Sequence, residues 1–286
     1  MTSPLPSFRT WLFSHTDEID ALLLDVDGVL MTSRTPLSGS RELVAELRDR
    51  GVPFLLLTND GCNSPAEKVD YLERGGLSFA IDELVSSSHA LEELVQEKEW
   101  QGRTFFVMGA LGDPCYARDA GLQTTRDLGV LATGGCQGVL VGEKSYDWEH
   151  VIAGVFNFLV RHPHAPVVVP NPDVYFPVKG GRLHPASGAT VGFVQFLCQT
   201  HGFEVEPIFL GKPYAPIFKH AQHVVEKRLG HSVPPDRLFM LGDSLASDIR
   251  GGCGYGIRTG LMLTGITTPK MLAASEVRPE LVFASL

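Results

Sequence analysis

The stretch "DEIDALLLDVDGVLMTS", Asp17–Ser33, sets four apolar residues, Ala21–Leu24, directly before Asp25 and Asp27, with Gly28 behind them. An apolar run of that length, ended by polar residues, reads as a strand. Two carboxylates this close repel each other, so a purely structural turn tends to avoid the arrangement. Along an extended chain the two-residue spacing keeps both side chains on one side, and Gly28 permits a tight turn that brings them together. The other reading of the pair is a solvated turn after a strand.

Working outward, the helical segment "SGSRELVAELRDRG" has an N-cap serine and a terminal Gly51, and the apolar Pro53–Leu57 follows as a second strand. That is a β-α-β unit. The same grammar returns near the C-terminus, with "PIFLG", the helical "YAPIFKHAQHVVEKRLG", "RLFMLGD", a short helix from Ala246, "LMLTG" and "LVFAS". Between the two series the chain restarts with "TFFVMG", "GVLVG", the helical "DWEHVIAGVFNFLVRH" and "PVVVPNPD". The expected architecture is a discontinuous α/β core, 1–84 and 206–286, interrupted by an inserted domain, 85–205. The segment "RHPHAP" reads as a helix-to-strand connection. "GGCGYG" has the wrong spacing for a dinucleotide loop and reads the same way.

With 286 residues, 44% hydrophobic and 20% charged, the chain is long enough for one or two well-buried cores. The net charge of −9, with no local Lys/Arg cluster, argues against nucleic-acid and anionic-membrane partners. Phosphorylated small molecules stay open if a local cation offsets the charge. Five cysteines without CxxC spacing point to a reducing, cytoplasmic setting. Neither a signal-peptide pattern nor a membrane-spanning run is seen. The ten histidines show no metal-binding spacing.

Ligands of open parallel sheets gather at the carboxyl ends of the strands. The core runs deliver there Asp25 and Asp27; Thr58, Asn59 and Asp60; Gly211, Lys212 and Pro213; and Gly242, Asp243, Ser244 and Asp248. Such a set suits phosphoryl transfer. Carboxylate and main-chain oxygens hold Mg²⁺, one carboxylate attacks phosphorus, and the other handles the proton. Thr58, Asn59 and Lys212 offer donors where charge gathers.

Taken in order, "DVDGVL", "LLTND", "GKP" and "LGDSLASDI" resemble the four motifs of the haloacid dehalogenase superfamily. The insertion between the second and third, with "NPD" inside it and "LTGIT" after the fourth, resembles the NagD-like, p-nitrophenyl-phosphatase branch with its large α/β cap. The resemblance implies a Rossmann-like parallel-sheet core, an inserted cap and a Mg²⁺-dependent phosphatase working through an aspartyl-phosphate. It makes Asp25 the nucleophile and Asp27 the acid/base. The metal ligands it implies are the Asp25 carboxylate, the Asp27 carbonyl and Asp243, with Asp248 in support. Thr58, Asn59 and Asp60 become the phosphate-side loop, and Lys212 pairs phosphate and nucleophile. An aspartate at position 27 favours phosphatase over the dehalogenase and phosphonatase branches. Relatives often associate through their caps, which implies a homodimer.

Three features depart from that pattern. "TNDGCNS" puts Asp60 where "TNN" is usual, "HPASGA" replaces a Pro-Gly-x-Gly pattern, and the first twenty residues form an extension to which the pattern assigns no place. Several residues also carry a plainer reading. Asp243 and Asp248 could be helix caps, and Lys212 an exposed lysine. Asn171, Asp173, Tyr175 and Phe176 contact the leaving group or are ordinary turn and packing residues. Cys62 reads as a buried small residue, since no basic neighbour in sequence lowers its pKa. The expected substrate is a small phosphomonoester: a sugar phosphate, phosphoglycolate, pyridoxal phosphate or a nucleotide. A phosphotransferase of the same fold and a non-catalytic phosphometabolite-binding protein are the competing functions.

Overall fold

The computed structural model describes residues 5–32, 34–144, 146–178 and 182–286. The chain divides into two compact units. The first comprises Met1–Thr58, Lys68–Val85 and Lys212–Leu286, and the second Asn59–Glu67 and Ser86–Gly211. This is an α/β protein with a parallel sheet in each unit.

The first unit is built on a six-stranded sheet in the order 281–283, 258–262, 238–242, 21–24, 54–58, 84–86. Ala21–Leu24 lies in the middle, parallel to Leu238–Gly242 on one side and to Phe54–Thr58 on the other. Its four residues are apolar without alternation because both faces of the strand are covered. Ala21 and Leu23 join Leu55, Ile217, Phe218 and Met240 on the face covered by the helix Ala215–Leu229. Leu22 and Leu24 join Phe8, Leu43, Leu47 and Phe239 on the opposite face, under the helix Ser40–Asp49. All four are fully buried, and each large side chain so placed contributes about 1.5–3 kcal/mol.

Two expectations need correction here. The helix expected to carry an N-cap serine is instead preceded by Gly39, at φ +92°. Ser40 is its first residue, and its hydroxyl donates to the Leu30 carbonyl at 2.7 Å, tying the helix to the turn after Asp27. The run "PIFLG", read as a core strand, pairs elsewhere: Ile208 and Phe209 run parallel to Val168 and Val169 in the second unit's sheet. These two residues are only half-buried, as suits the edge strand they form.

The N-terminal extension has a place in the first unit. Its helix Phe8–Leu12 buries Phe8 and Leu12 completely, and Phe8 meets Phe283 edge-on at 5.3 Å. Ser7 bridges to Ser285, and the Phe8 amide donates to the Ser285 carbonyl at 2.9 Å.

The second unit has its own parallel sheet, ordered 208–209, 167–169, 138–141, 104–108, 123–125. One face packs on the helices Ala153–Arg161 and Ser187–His201, the other on Leu91–Glu97. An antiparallel hairpin, Tyr175–Val178 with Arg182–Pro185, completes it. No helix among the described residues is long and apolar enough to cross a membrane.

Candidate active site

Three parallel strands of the first unit end side by side, and each delivers a polar group from an apolar run. Asp25 follows Leu24, Thr58 closes its strand, and Asp243 follows Gly242. After Asp243 the chain makes a π-helical turn, Leu245–Ile249, before the helix Arg250–Tyr255. The wide turn brings Asp248 back toward the strand ends. One carboxylate oxygen from each of Asp25, Asp243 and Asp248 lies within 4.8 Å of the others.

Lys212 ties the group together. Its ammonium lies 2.8 Å from Asp25 Oδ1, 2.7 Å from Asp248 Oδ1, and donates to the Leu57 carbonyl at 2.8 Å. Only 2% of the residue is exposed, so the plainer reading of Lys212 as a surface lysine is overturned. A lysine so deeply buried requires charged partners. Burial works against its charge, yet Asp248 and Asp25 overcome this and raise its pKa.

Asp248 is held from two sides: its Oδ2 accepts from the Ser244 amide at 3.0 Å while Oδ1 faces Lys212. The capping role falls to Ser244, whose hydroxyl accepts from the Ser247 amide. Asp243 is fixed by the Ile266 amide, which donates to its Oδ2 at 2.6 Å, and by the Thr267 amide on its own carbonyl. Gly28 and Gly265 leave the space this side chain fills, since a Cβ on either would overlap the Asp243 carboxylate. Gly28 also has φ +85°, a conformation other residues rarely adopt. The Thr264 hydroxyl donates to the Gly28 carbonyl at 2.6 Å and closes the turn.

Three carboxylates facing one lysine leave the cluster short of positive charge. Burial, the neighbouring Asp248 and the opposing pull of Lys212 set Asp25 at about 6. Asp243 is raised to about 8 by burial and by the charges of Asp25 and Asp248. An all-oxygen set with surplus negative charge fits a hard divalent cation.

Asp27 sits differently, with 58% of its side chain exposed. Its main chain pairs with Met31 in an isolated bridge, and the Gly28 amide donates to the Met31 carbonyl at 2.7 Å. Beneath it, Lys68 places its ammonium 3.5 Å from Asp27 Oδ2. The sequence reading missed Lys68. Its signal is the helix Pro65–Arg74, where Lys68 shares a buried face with Leu72. Gly265, inside "LTGIT", likewise carries no role in the sequence reading.

The remaining expected residues fall in the second unit. Asn59 donates to Asp173 Oδ1 at 3.1 Å. The Asp60 carboxylate accepts from the Cys62 and Asn63 amides, both at 3.3 Å, and from the Asn63 side chain at 2.8 Å. Tyr175 is 59% exposed on the hairpin, and Phe176 packs near His184, ring centres 5.9 Å apart. Asn171 is buried and donates to the Glu143 carboxylate. Cys62 is buried as expected but does have a basic neighbour, Lys144, at 3.1 Å. Burial, with Asp60 and Glu143, outweighs that lysine and pushes the thiol up.

Known proteins resemble this chain over most of its length. The signature described as "Haloacid dehalogenase-like hydrolase" matches residues 22–123, and one described as "HAD-hyrolase-like" matches 209–286. The chain is similar to the dihydroxyacetone phosphatase of Corynebacterium glutamicum, 26% identical over 92% of this chain and 88% of that one. It is similar to the acid sugar phosphatase of Staphylococcus saprophyticus, 27% identical over 93% of this chain and 95% of that one. The p-nitrophenyl phosphatase of Archaeoglobus fulgidus superposes with a TM-score of 0.77 at 25% identity, covering 94% of this chain and 97% of its own.

Proposed function

The chain belongs to the haloacid dehalogenase-like hydrolases, in their NagD-like, p-nitrophenyl-phosphatase branch, and from that premise we propose that it hydrolyses small sugar or polyol phosphates. It is a phosphoric monoester hydrolase, as its relatives are. The observation that carries the residue assignment is Asp25, held at a strand end by Lys212 at 2.8 Å beside the carboxylates of Asp243 and Asp248.

In this reading an Asp25 oxygen attacks phosphorus, and the bond from phosphorus to the substrate oxygen breaks. Asp27 gives its proton to that leaving oxygen. It then takes a proton from the water that attacks the aspartyl-phosphate, which releases phosphate and restores Asp25. Lys212 holds the attacking carboxylate in place and offsets charge on the transferring group. The carboxylates of Asp25 and Asp243 and the Asp27 carbonyl would hold Mg²⁺, with Asp248 supporting from behind. When bound, the ion supplies neutralisation of the charge that keeps phosphate from carboxylate.

Thr58 belongs to this reading as a phosphate-side residue. For Asn59, Asp60, Tyr175 and Phe176 the support is the sequence alone. The choice of a sugar or polyol phosphate is supported by the relatives named dihydroxyacetone phosphatase and acid sugar phosphatase. The first unit, in this reading, does the chemistry and the second screens the organic group. Five free cysteines support a reducing, cytoplasmic setting. Exposed Trp148, Phe193 and Phe196 support a homodimer through the second unit, and a monomer by sedimentation would remove that part.

The test is phosphate release from dihydroxyacetone phosphate, hexose phosphates, nucleoside monophosphates and p-nitrophenyl phosphate, with Mg²⁺ and with chelator, beside Asp25→Asn. Metal-dependent release that vanishes in the variant is expected. Release that survives in Asp25→Asn would overturn the assignment of the nucleophile, and preference for nucleotides would overturn the substrate class.

A further inference from the structure

Lys68 is an anomaly of burial. Lysine is among the residues least often buried, because its ammonium loses hydration and its long stem loses rotamer freedom. Here the residue is 5% exposed, on the inner face of the helix Pro65–Arg74, in line with fully buried Leu72. Its ammonium lies 3.5 Å from Asp27 Oδ2 and 5.4 Å from the centre of the Tyr71 ring. The other side of this small cluster is Arg34, whose guanidinium lies 5.5 Å from the same ring. The asymmetry is informative: a buried cation faces a carboxylate whose side chain is 58% exposed. The cation is fixed by packing, whereas the carboxylate reaches outward.

Exposed carboxylates sample several rotamers. A proton donor is useful only when held within hydrogen-bond reach of the oxygen it serves. The Asp27 main chain is held by the Met31 bridge, but that leaves its side-chain torsions to be set by something else. We infer that Lys68 is a positioning residue for proton transfer by Asp27, its buried ammonium engaging Oδ2 and so fixing the carboxylate plane against the leaving oxygen. The inference rests on the phosphatase reading above. In this role Lys68 engages Asp27 and acts through the acid/base.

This makes a prediction that a packing role does not share. Expulsion of an alkoxide needs a proton, whereas p-nitrophenolate leaves as a stable anion without one. The ratio kcat/KM reports the steps up to and including phosphoryl transfer to Asp25, so it isolates that demand. In Lys68→Met, kcat/KM for dihydroxyacetone phosphate and glucose 6-phosphate should fall by about tenfold to a hundredfold, within the range general acid catalysis provides. The value for p-nitrophenyl phosphate should change by less than roughly threefold. Lys68→Arg should restore most of the alkyl phosphate rate. If Lys68→Met does not fold by thermal melting, the same ratio is read on Lys68→Gln.

Equal losses on alkyl and aryl substrates would overturn the inference in favour of packing. An unchanged ratio in a folded variant would overturn it outright. A KM that rises for fructose 1,6-bisphosphate but not for glucose 6-phosphate would also overturn it, by making Lys68 a substrate ligand. A wild-type protein that releases phosphate from neither class would overturn the phosphatase reading first and this inference with it, so the two failures are distinguishable.

Discussion

Both units end parallel strands in buried acidic residues, yet the two edges are built to opposite ends. In the second unit Glu143 follows the strand Gly138–Val141, 6% exposed, and burial raises its pKa. Its surroundings hold it in place: Asn171 donates to its carboxylate, and its amide donates to the Ala110 carbonyl at 2.9 Å. In the first unit Asp25 and Asp248 share one ammonium, and Asp243 clusters with both carboxylates. One edge answers its acid with a local amide donor. The other gathers more negative charge than its lysine neutralises, and that surplus fits a hard divalent cation.

The contrast is broken most severely at Asp25. Asp25→Asn should lower phosphate release by about 10⁴-fold or more, whereas Glu143→Gln, which keeps volume and an acceptor, should leave the rate within roughly threefold. Parallel turnover assays of the two purified variants make the comparison, and comparable losses would erase the distinction between the edges. A somewhat smaller effect is expected at Gly265. A methyl group there displaces the Asp243 carboxylate, so Gly265→Ala should cost about a hundredfold in rate, the scale of a 1 Å misplacement.

Mg²⁺ should separate the edges without any turnover. Binding to the folded state alone stabilises by about 2.7 kcal/mol at a hundredfold excess over Kd, so melting should shift upward in Mg²⁺ for the wild type. Asp243→Asn should lose that shift, and Glu143→Gln should keep it. A shift retained in Asp243→Asn would place the ion elsewhere.

Much of the first edge was legible in the chain itself. The unalternating Ala21–Leu24 marks a strand covered on both faces, and the four ordered motifs bring Asp25, Asp27, Lys212 and Asp243 into view. What escaped has a common physical cause. The strand at Ile208–Phe209 is too short for its apolar run to say which sheet it joins, and register with Val168 and Val169 is a tertiary fact. Lys68 escaped because a lone lysine reads as surface, and only the packing of its helix reveals it as inward. The lysine beside Cys62 comes from 82 positions away, beyond any local reading. The N-terminal helix was unplaceable because its partners, Phe239 and Phe283, lie at the far end of the chain.

Smaller effects sharpen the rest. Phe8→Ala should cost about 3–5 kcal/mol of stability, measured by denaturant unfolding, because it empties a fully buried site against Phe283. A cost near zero would show that the extension is dispensable. Last, alkylation of the native protein should label exposed Cys253 well before Cys62, whose thiol is buried and pushed up by its acidic neighbours. Early labelling of Cys62, read by peptide mass mapping, would reverse the assignment of that thiol as inert.

The central strand of the first unit has a consequence for assembly on the ribosome. Ala21–Leu24 is made before the whole of the second unit, and one of its two sheet neighbours, Leu238–Gly242, only after it. Until that partner emerges, the strand has an unpaired edge of apolar residues, the kind of surface that invites wrong pairing. The second unit, drawn almost wholly from Ser86–Gly211, carries its own sheet partners and can close while the first is still waiting. Asp25 and Asp243 therefore meet only after the second unit has been made.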